Sequence, residues 1–195
     1  MLDTIETGSR PKGGALSSGI PSIGAEKVEE FGKYDYSGEK YISEEYFSKL
    51  RRGIVKSGDV LLYKDGAYTG KSSMALDGFP HETCAVNEHV FLLRTENCFA
   101  QSFLYFTLHD ADVHQTIFNL ACGKAAQPGL NQQELMSVQI KLPEKEAIVD
   151  FEQTVSPFMH RIAANALESR KLAVLRDTLL PQLMSGKFDV SNFDL

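Results

Sequence analysis

At 195 residues, 43% of them hydrophobic, the chain can bury a real core and holds one medium domain, or one domain with an appendage. No apolar run approaches the roughly 20 residues of a membrane span, and Met1 to Arg10 lacks the charged-then-apolar pattern of a secretory leader. A net charge of −6 argues against the uniformly basic kind of nucleic-acid binder, yet the charge is uneven: acids dominate from Glu26 to Glu45 and bases from Lys49 to Lys71. Such a chain either offers a basic face to phosphates and an acidic one to a protein partner, or has a solvated surface of mixed charge. Cys84, Cys98 and Cys122 form no C-x-x-C pair and read as reduced thiols of a cytoplasmic protein.

Strand-like and helix-like patterns alternate, which predicts a mixed α/β class of the α+β kind. After a loop at Gly8–Gly14, Ile20 to Val28 reads as a short strand. Ser43 caps a short helix through Leu50. Val60 to Tyr63 is a bounded apolar run typical of a buried strand, and Lys64-Asp65-Gly66 supplies a turn toward a partner strand at Ser72 to Leu76. Val86 to Leu93 is a further strand. Ala100 to His109 and Val113 to Leu120 carry apolar residues at helical spacing; Gly123 to Asn131 is a loop, and Val138 to Leu142 alternates like a half-buried strand.

Residues 1–142 therefore read as the globular part and 143–195 as a helical arm. In the arm, Ile148, Phe151 and Val155 form one stripe, and Ser156-Pro157 offers a cap and a first-turn proline for a long helix ended by Gly186. Phe158, Ile162, Asn165, Leu172, Leu175, Leu179 and Leu183 follow as a seam that asks for a partner helix, with Asn165 as the polar residue that sets register. The other reading is a helix packed back on its own domain.

Catalytic patterns are missing. Gly66-Ala-Tyr-Thr-Gly70-Lys71-Ser72 has three residues between its glycines where a phosphate-binding loop needs four, and a strand rather than a helix follows. It reads instead as a hairpin tip carrying Tyr68 and Lys71, suited to stacking and phosphate contact. No Asp/Glu-x-Lys triplet of a metal-dependent nuclease occurs, and no Asn/Asp-Pro-Pro-aromatic stretch of a DNA-amino methyltransferase. His81-x-x-Cys84 with His89 lacks a second ligand pair for zinc, so these read as satisfied core residues and no metal site is expected.

Leu130-Asn131 to Leu135, followed by an apolar stretch and Leu142-Pro143, resembles the close of a target-recognition domain in the specificity subunits of type I restriction–modification systems. Leu175-Arg-Asp-Thr-Leu-Leu-Pro-Gln-Leu-Met-Ser-Gly186 resembles the end of that family's spacer helix. Gly8-Ser-Arg-Pro11 is similar to its entry loop, Val55 to Leu62 to its first core strand, and Asn87-Glu-His-Val90 to a later one. The chain departs at Glu146-Ala147-Ile148, where the family commonly has a Glu-Gln pair, and in having one domain and one helix where a complete member has two of each. It is then either a piece of a longer subunit or a natural half-subunit that pairs, antiparallel, with a second copy.

The resemblance implies a non-catalytic chain that reads half of a split target in double-stranded DNA and carries methylation and restriction subunits. S-adenosylmethionine, ATP and Mg would belong to those partners, and this chain would bind no cofactor. The DNA contacts expected are Arg10, Lys12, Lys64, Tyr68, Lys71, Lys124 and Gln127, the lysines on phosphates and Arg10 and Gln127 on base edges. Each is otherwise an exposed, solvated side chain. Two other classes remain open: a protein-interaction module that assembles through its helix without touching DNA, and a stand-alone nuclease.

Overall fold

The computed structural model describes residues 2–96, 99–123 and 129–187. Its centre is a four-stranded antiparallel sheet in the order β1 (Leu2–Thr7), β7 (Val90–Thr95), β4 (Val60–Tyr63), β5 (Ser72–Met74). A smaller sheet joins β3 (Tyr41–Ile42), β2 (Ile20–Ile23) and β6 (Ala85–Val86), with β2 and β6 parallel. Alternate side chains of the central strands enter two cores. Val60, Leu62, Phe91 and Leu93 face a core shared with the helices, and Leu61, Val90 and Leu92 face one built with Ile23, Val28 and Val86. Burial on both faces is why Val60–Tyr63 is a continuous apolar run.

Helices cover the first face: α2 (Gln101–His109), α3 (Ala111–Cys122) and α4 (Gln132–Ser137), with a short α1 (Glu44–Ser48) elsewhere. Ser43 caps α1 as expected, its Oγ accepting from the Tyr46 amide at 3.1 Å. The fold is thus α+β, with a long C-terminal helix.

Four expectations change. The strand expected over Ile20–Val28 stops at Ile23 and becomes a 3-10 turn at Ala25–Lys27. The run expected over Val86–Leu93 is split, because the Asn87 carboxamide accepts from the His89 amide at 2.9 Å and bends the chain before β7. Val138–Leu142 is irregular rather than strand. Asn131 and Glu134 form a capping box that winds 132–137 into α4, and Gln132 Nε2 donates to the Ile5 carbonyl of the edge strand β1 at 2.9 Å. Val138, Ile140 and Leu142 then line an open apolar groove with Leu2, Leu93 and Leu104.

The fourth change is the arm. Helix α5 runs unbroken from Lys145 to Met184, so Ser156-Pro157 is no cap and Pro157 lies inside it. Packing decides this: Ile148, Val155, Met159 and Ala163, spaced seven, four and four, lie against the core. Glu152 Oε1 accepts from the Phe103 amide at 2.7 Å, satisfying a donor at the start of α2, whose cap Ala100 has no side chain to do so. His160 meets Asp77 on the 76–79 hairpin, and the Arg170 guanidinium stacks on Tyr36 at 3.8 Å. The first half of the arm therefore packs back on the domain, and beyond Arg170 none of the described residues is buried.

Candidate nucleic-acid interface

The C-terminal ends of β1 and β4 and the N-terminal ends of β5 and β7 lie together, since Thr7 pairs with Phe91, Tyr63 with Val90 and Leu62 with Ser72. Three connections therefore meet at one end of the sheet: 8–19, 64–71 and 87–89. The 76–79 hairpin that touches α5 leaves from the other end of β5, so the helix docks away from these loops.

Glycines let the loops close up. A Cβ on Gly8 would stand 1.5 Å from the Val86 carbonyl oxygen, and one on Gly53 would stand 2.5 Å from Gly8 Cα. Gly66 and Gly70 bracket the 64–71 hairpin, whose tip is closed by Thr69 Oγ1 donating to the Gly66 carbonyl at 2.7 Å. No helix follows Gly70; β5 does, so the backbone amides do not wrap a phosphate as in a nucleotide loop.

The predicted contact residues gather here, in different states. Tyr68 is 61% exposed at the tip. Lys71 lies 4.5 Å from the Tyr68 ring and pairs with Glu29 at 3.3 Å. Lys64 is half-buried: its Nζ donates to the Glu88 carbonyl at 3.0 Å and pairs with Asp65 at 3.3 Å. Arg10 pairs with Glu88 at 3.1 Å. Lys12 is exposed on the Pro11–Gly14 turn. Lys124 and Gln127 lie outside the described residues; beyond them Gly129 bridges to Asp65.

Sequence reasoning reads His89 as a satisfied core residue and misses its place here: the side chain is 41% exposed, with Nδ1 3.1 Å from Asp65 and Nε2 3.4 Å from Glu88. Arg10, Lys64, Asp65, Glu88 and His89 thus form one mixed-charge network beneath the loops. It also missed Arg94, which donates to both Asp59 carboxylate oxygens at 2.6 and 2.7 Å and to Glu6 at 2.7 Å. The Asp59 contact holds the guanidinium above its ordinary, already high pKa. Glu6 in turn accepts from the Gly53 amide at 2.8 Å, so the buried pair positions the 51–54 segment beside Gly8.

His81 and Cys84 make no joint site with His89. His81 Nε2 is 2.6 Å from Glu39, a carboxylate that also accepts from Tyr34 at 2.9 Å and Tyr41 at 3.0 Å. Burial lowers the His81 pKa, outweighing the attraction of Glu39, and pushes the Cys84 thiol up to about 12. Among the described residues no three His, Cys, Asp or Glu side chains are grouped to hold a metal ion, and no helix is long and apolar enough to cross a membrane.

On α5 the seam residues stand out from the surface: Phe158 is 67% exposed, Leu172 58%, Leu175 52%, Leu183 42% and Ile162 40%. Asn165 is exposed between them and Leu179 is half-buried. The stripe against the core is a different one, and among the described residues the seam stays largely open, with Ile162 beside Gly32.

Comparison with known proteins agrees with this architecture. Residues 15–176 match the family described as the type I restriction modification DNA specificity domain. The HindI specificity subunit of Haemophilus influenzae is 32% identical over 85 residues, which is 44% of this chain and 18% of that protein. The HsdS subunit from Thermoanaerobacter tengcongensis superposes over 93% of this chain with a TM-score of 0.51 and 17% identity, which shows the shared fold. A chain from work on complex assembly and conformational transition of the type I R-M system superposes over 91%, also at 0.51, with 16% identity. The chain spans 42% of the length of each of these two solved chains. With the match covering most of its length, the fold in common and the loops gathered opposite the helix, the chain belongs to the type I restriction–modification DNA-specificity family.

Proposed function

We propose that this chain reads one half of a bipartite target in double-stranded DNA and serves as a scaffold for methylation and restriction subunits. The observation that carries the reading is spatial. Glycine-bracketed loops bearing Arg10, Lys12, Tyr68 and Lys71 share one sheet end, and the docked part of α5 lies away from it. A stacking tyrosine beside basic side chains matches the base faces and phosphates that DNA presents.

The exposed seam pairs with a second copy or with the second half of a longer subunit. At 40 residues, α5 is about 60 Å long. That exceeds the 34–36 Å of one duplex turn, and overlap of two such helices would set the gap between half-sites. The chain supplies no chemistry of its own on this reading; S-adenosylmethionine, ATP and Mg act in the partner subunits.

The test is light scattering of the purified chain, alone and mixed with a type I methylation subunit, followed by titration with duplex DNA at rising salt. A dimer alone, a larger assembly in the mixture, and DNA affinity that falls with salt support the reading. Assembly without salt-dependent affinity would make the chain a protein-interaction module instead. Cleavage of DNA by the chain alone with a divalent metal would make it a nuclease.

A further inference from the structure

We propose that the principal contact with the DNA backbone is an unpaired basic face made by Lys12, Arg51 and Arg52, rather than by Lys64 and Lys71. The inference rests on the reading that the chain binds duplex DNA. A cation held against a carboxylate presents a dipole to an approaching phosphate, and its field decays faster than that of a free charge. Lys64 faces Asp65, Lys71 faces Glu29, and Arg10 faces Glu88. Three of the basic residues at this end are thus already neutralised.

Arg51, Arg52 and Lys12 are exposed and, among the described residues, make no ion pair or side-chain hydrogen bond. They are brought to the same end by backbone contacts. Arg51 and Arg52 immediately precede Gly53, which abuts Gly8. Ser9 Oγ lies 2.8 Å from Tyr46 Oη, tying the entry loop to α1 just before the arginines. Lys12 sits at the corner of a turn closed by the Gly14 amide donating to the Pro11 carbonyl at 3.2 Å. Gly13 and Gly14 have φ of +102° and +89°, and no atom lies within 4 Å of where their Cβ would be. The turn therefore stands clear of the domain.

Reach bounds the geometry. Four residues from Gly8 to Lys12 and two from Gly53 to Arg51, at roughly 3.6 Å each, keep the Cα atoms of Lys12 and Arg51 within about 25 Å. That is less than one duplex turn of 34–36 Å, so the three cations can track phosphates along one groove edge. The glycines at 13 and 14 add no side chain to hinder close approach. Within a chain of net charge −6, such a local face also orients the encounter.

The experiment is fluorescence anisotropy of a labelled duplex of about three turns, titrated with the full chain between about 50 and 200 mM salt. Each phosphate contact contributes about 0.9 to the slope of log affinity against log salt. Arg51→Ala/Arg52→Ala is expected to reduce that slope by about 2, and Lys12→Ala by about 1. Lys64→Ala/Lys71→Ala should reduce it less than Lys12→Ala does, because both lysines already face carboxylates, and Arg51→Lys/Arg52→Lys, which keeps the charge, should retain it. An unchanged slope in the arginine-to-alanine variant, or the loss appearing in the Lys64/Lys71 variant, overturns this assignment while leaving the DNA reading intact. Absence of salt-dependent affinity in the wild-type chain overturns both. Thermal melts of the Arg51/Arg52 and Lys12 variants should match wild type, because these side chains are exposed and, among the described residues, make no ion pair or side-chain hydrogen bond.

Discussion

Replacing Arg94 by methionine keeps most of the side-chain volume in β7 and removes its charge. The guanidinium makes four donations: two to Asp59, one to Glu6 and one to the Ile54 carbonyl at 3.2 Å. Asp59 is only 1% exposed at its side chain and would keep a single donor, the Lys56 amide at 2.9 Å. Removing one partner of a buried pair strands the other charge, at a cost of about 3–5 kcal/mol. For a protein of this size each kcal/mol shifts the melting temperature by about 2–4 °C, so Arg94→Met should melt about 6–20 °C lower. Circular dichroism melts with urea titration measure this. The double variant Asp59→Leu/Arg94→Met should recover part of the loss, since no lone carboxylate then remains at position 59. A single variant within about 1 kcal/mol of wild type, or a double variant worse than Arg94→Met, would refute the argument that the ion pair is buried and coupled.

Gly8→Ala forces a methyl to 1.5 Å from the Val86 carbonyl oxygen, so backbone must move; a loss of about 1–3 kcal/mol is expected in urea unfolding, and a neutral result would show that the loops are not in contact. His81 has a lowered folded pKa, so the folded state binds fewer protons than the unfolded chain. Its contribution is present above about pH 6.5 and lost as pH falls below it. His81→Gln should therefore lose less stability than wild type between about pH 7 and pH 5, with parallel curves counting against the assignment. Leu172→Asp/Leu175→Asp should leave the melt of the isolated chain within about 0.5 kcal/mol, because both side chains are exposed, yet abolish self-association in light scattering. Dimers that persist would place the interface elsewhere.

Local chemistry made several elements legible. Val60–Tyr63 has no polar face to conceal, the Lys64-Asp65-Gly66 turn returns the chain to Ser72, and Ser43 and Gly186 mark helix ends through cap chemistry. The Asn131-x-x-Glu134 pattern was equally available and predicts α4, against the alternation that suggests a strand at Val138. β1 and β3 are harder. Leu2–Thr7 is a mixed polar segment that becomes a strand because β7 offers an edge, and Tyr41–Ile42 is two residues long.

The sequence by itself determined the class of structure, the absence of familiar catalytic patterns and the seam on the helix, because each depends on residue order or periodicity; the family entered through the resemblance of its motifs. Tertiary structure decided three other things. It showed which stripe of α5 is buried, a matter of where α2 and the 76–79 hairpin lie rather than of helical period. It joined Arg94 to Glu6 and Asp59 across 88 and 35 residues, pairings that no local pattern records. And it separated basic residues that are already paired from Arg51 and Arg52, which have no ion-pair partner among the described residues. Charge is written in the sequence, but its neutralisation depends on which carboxylate the fold brings within a few ångströms.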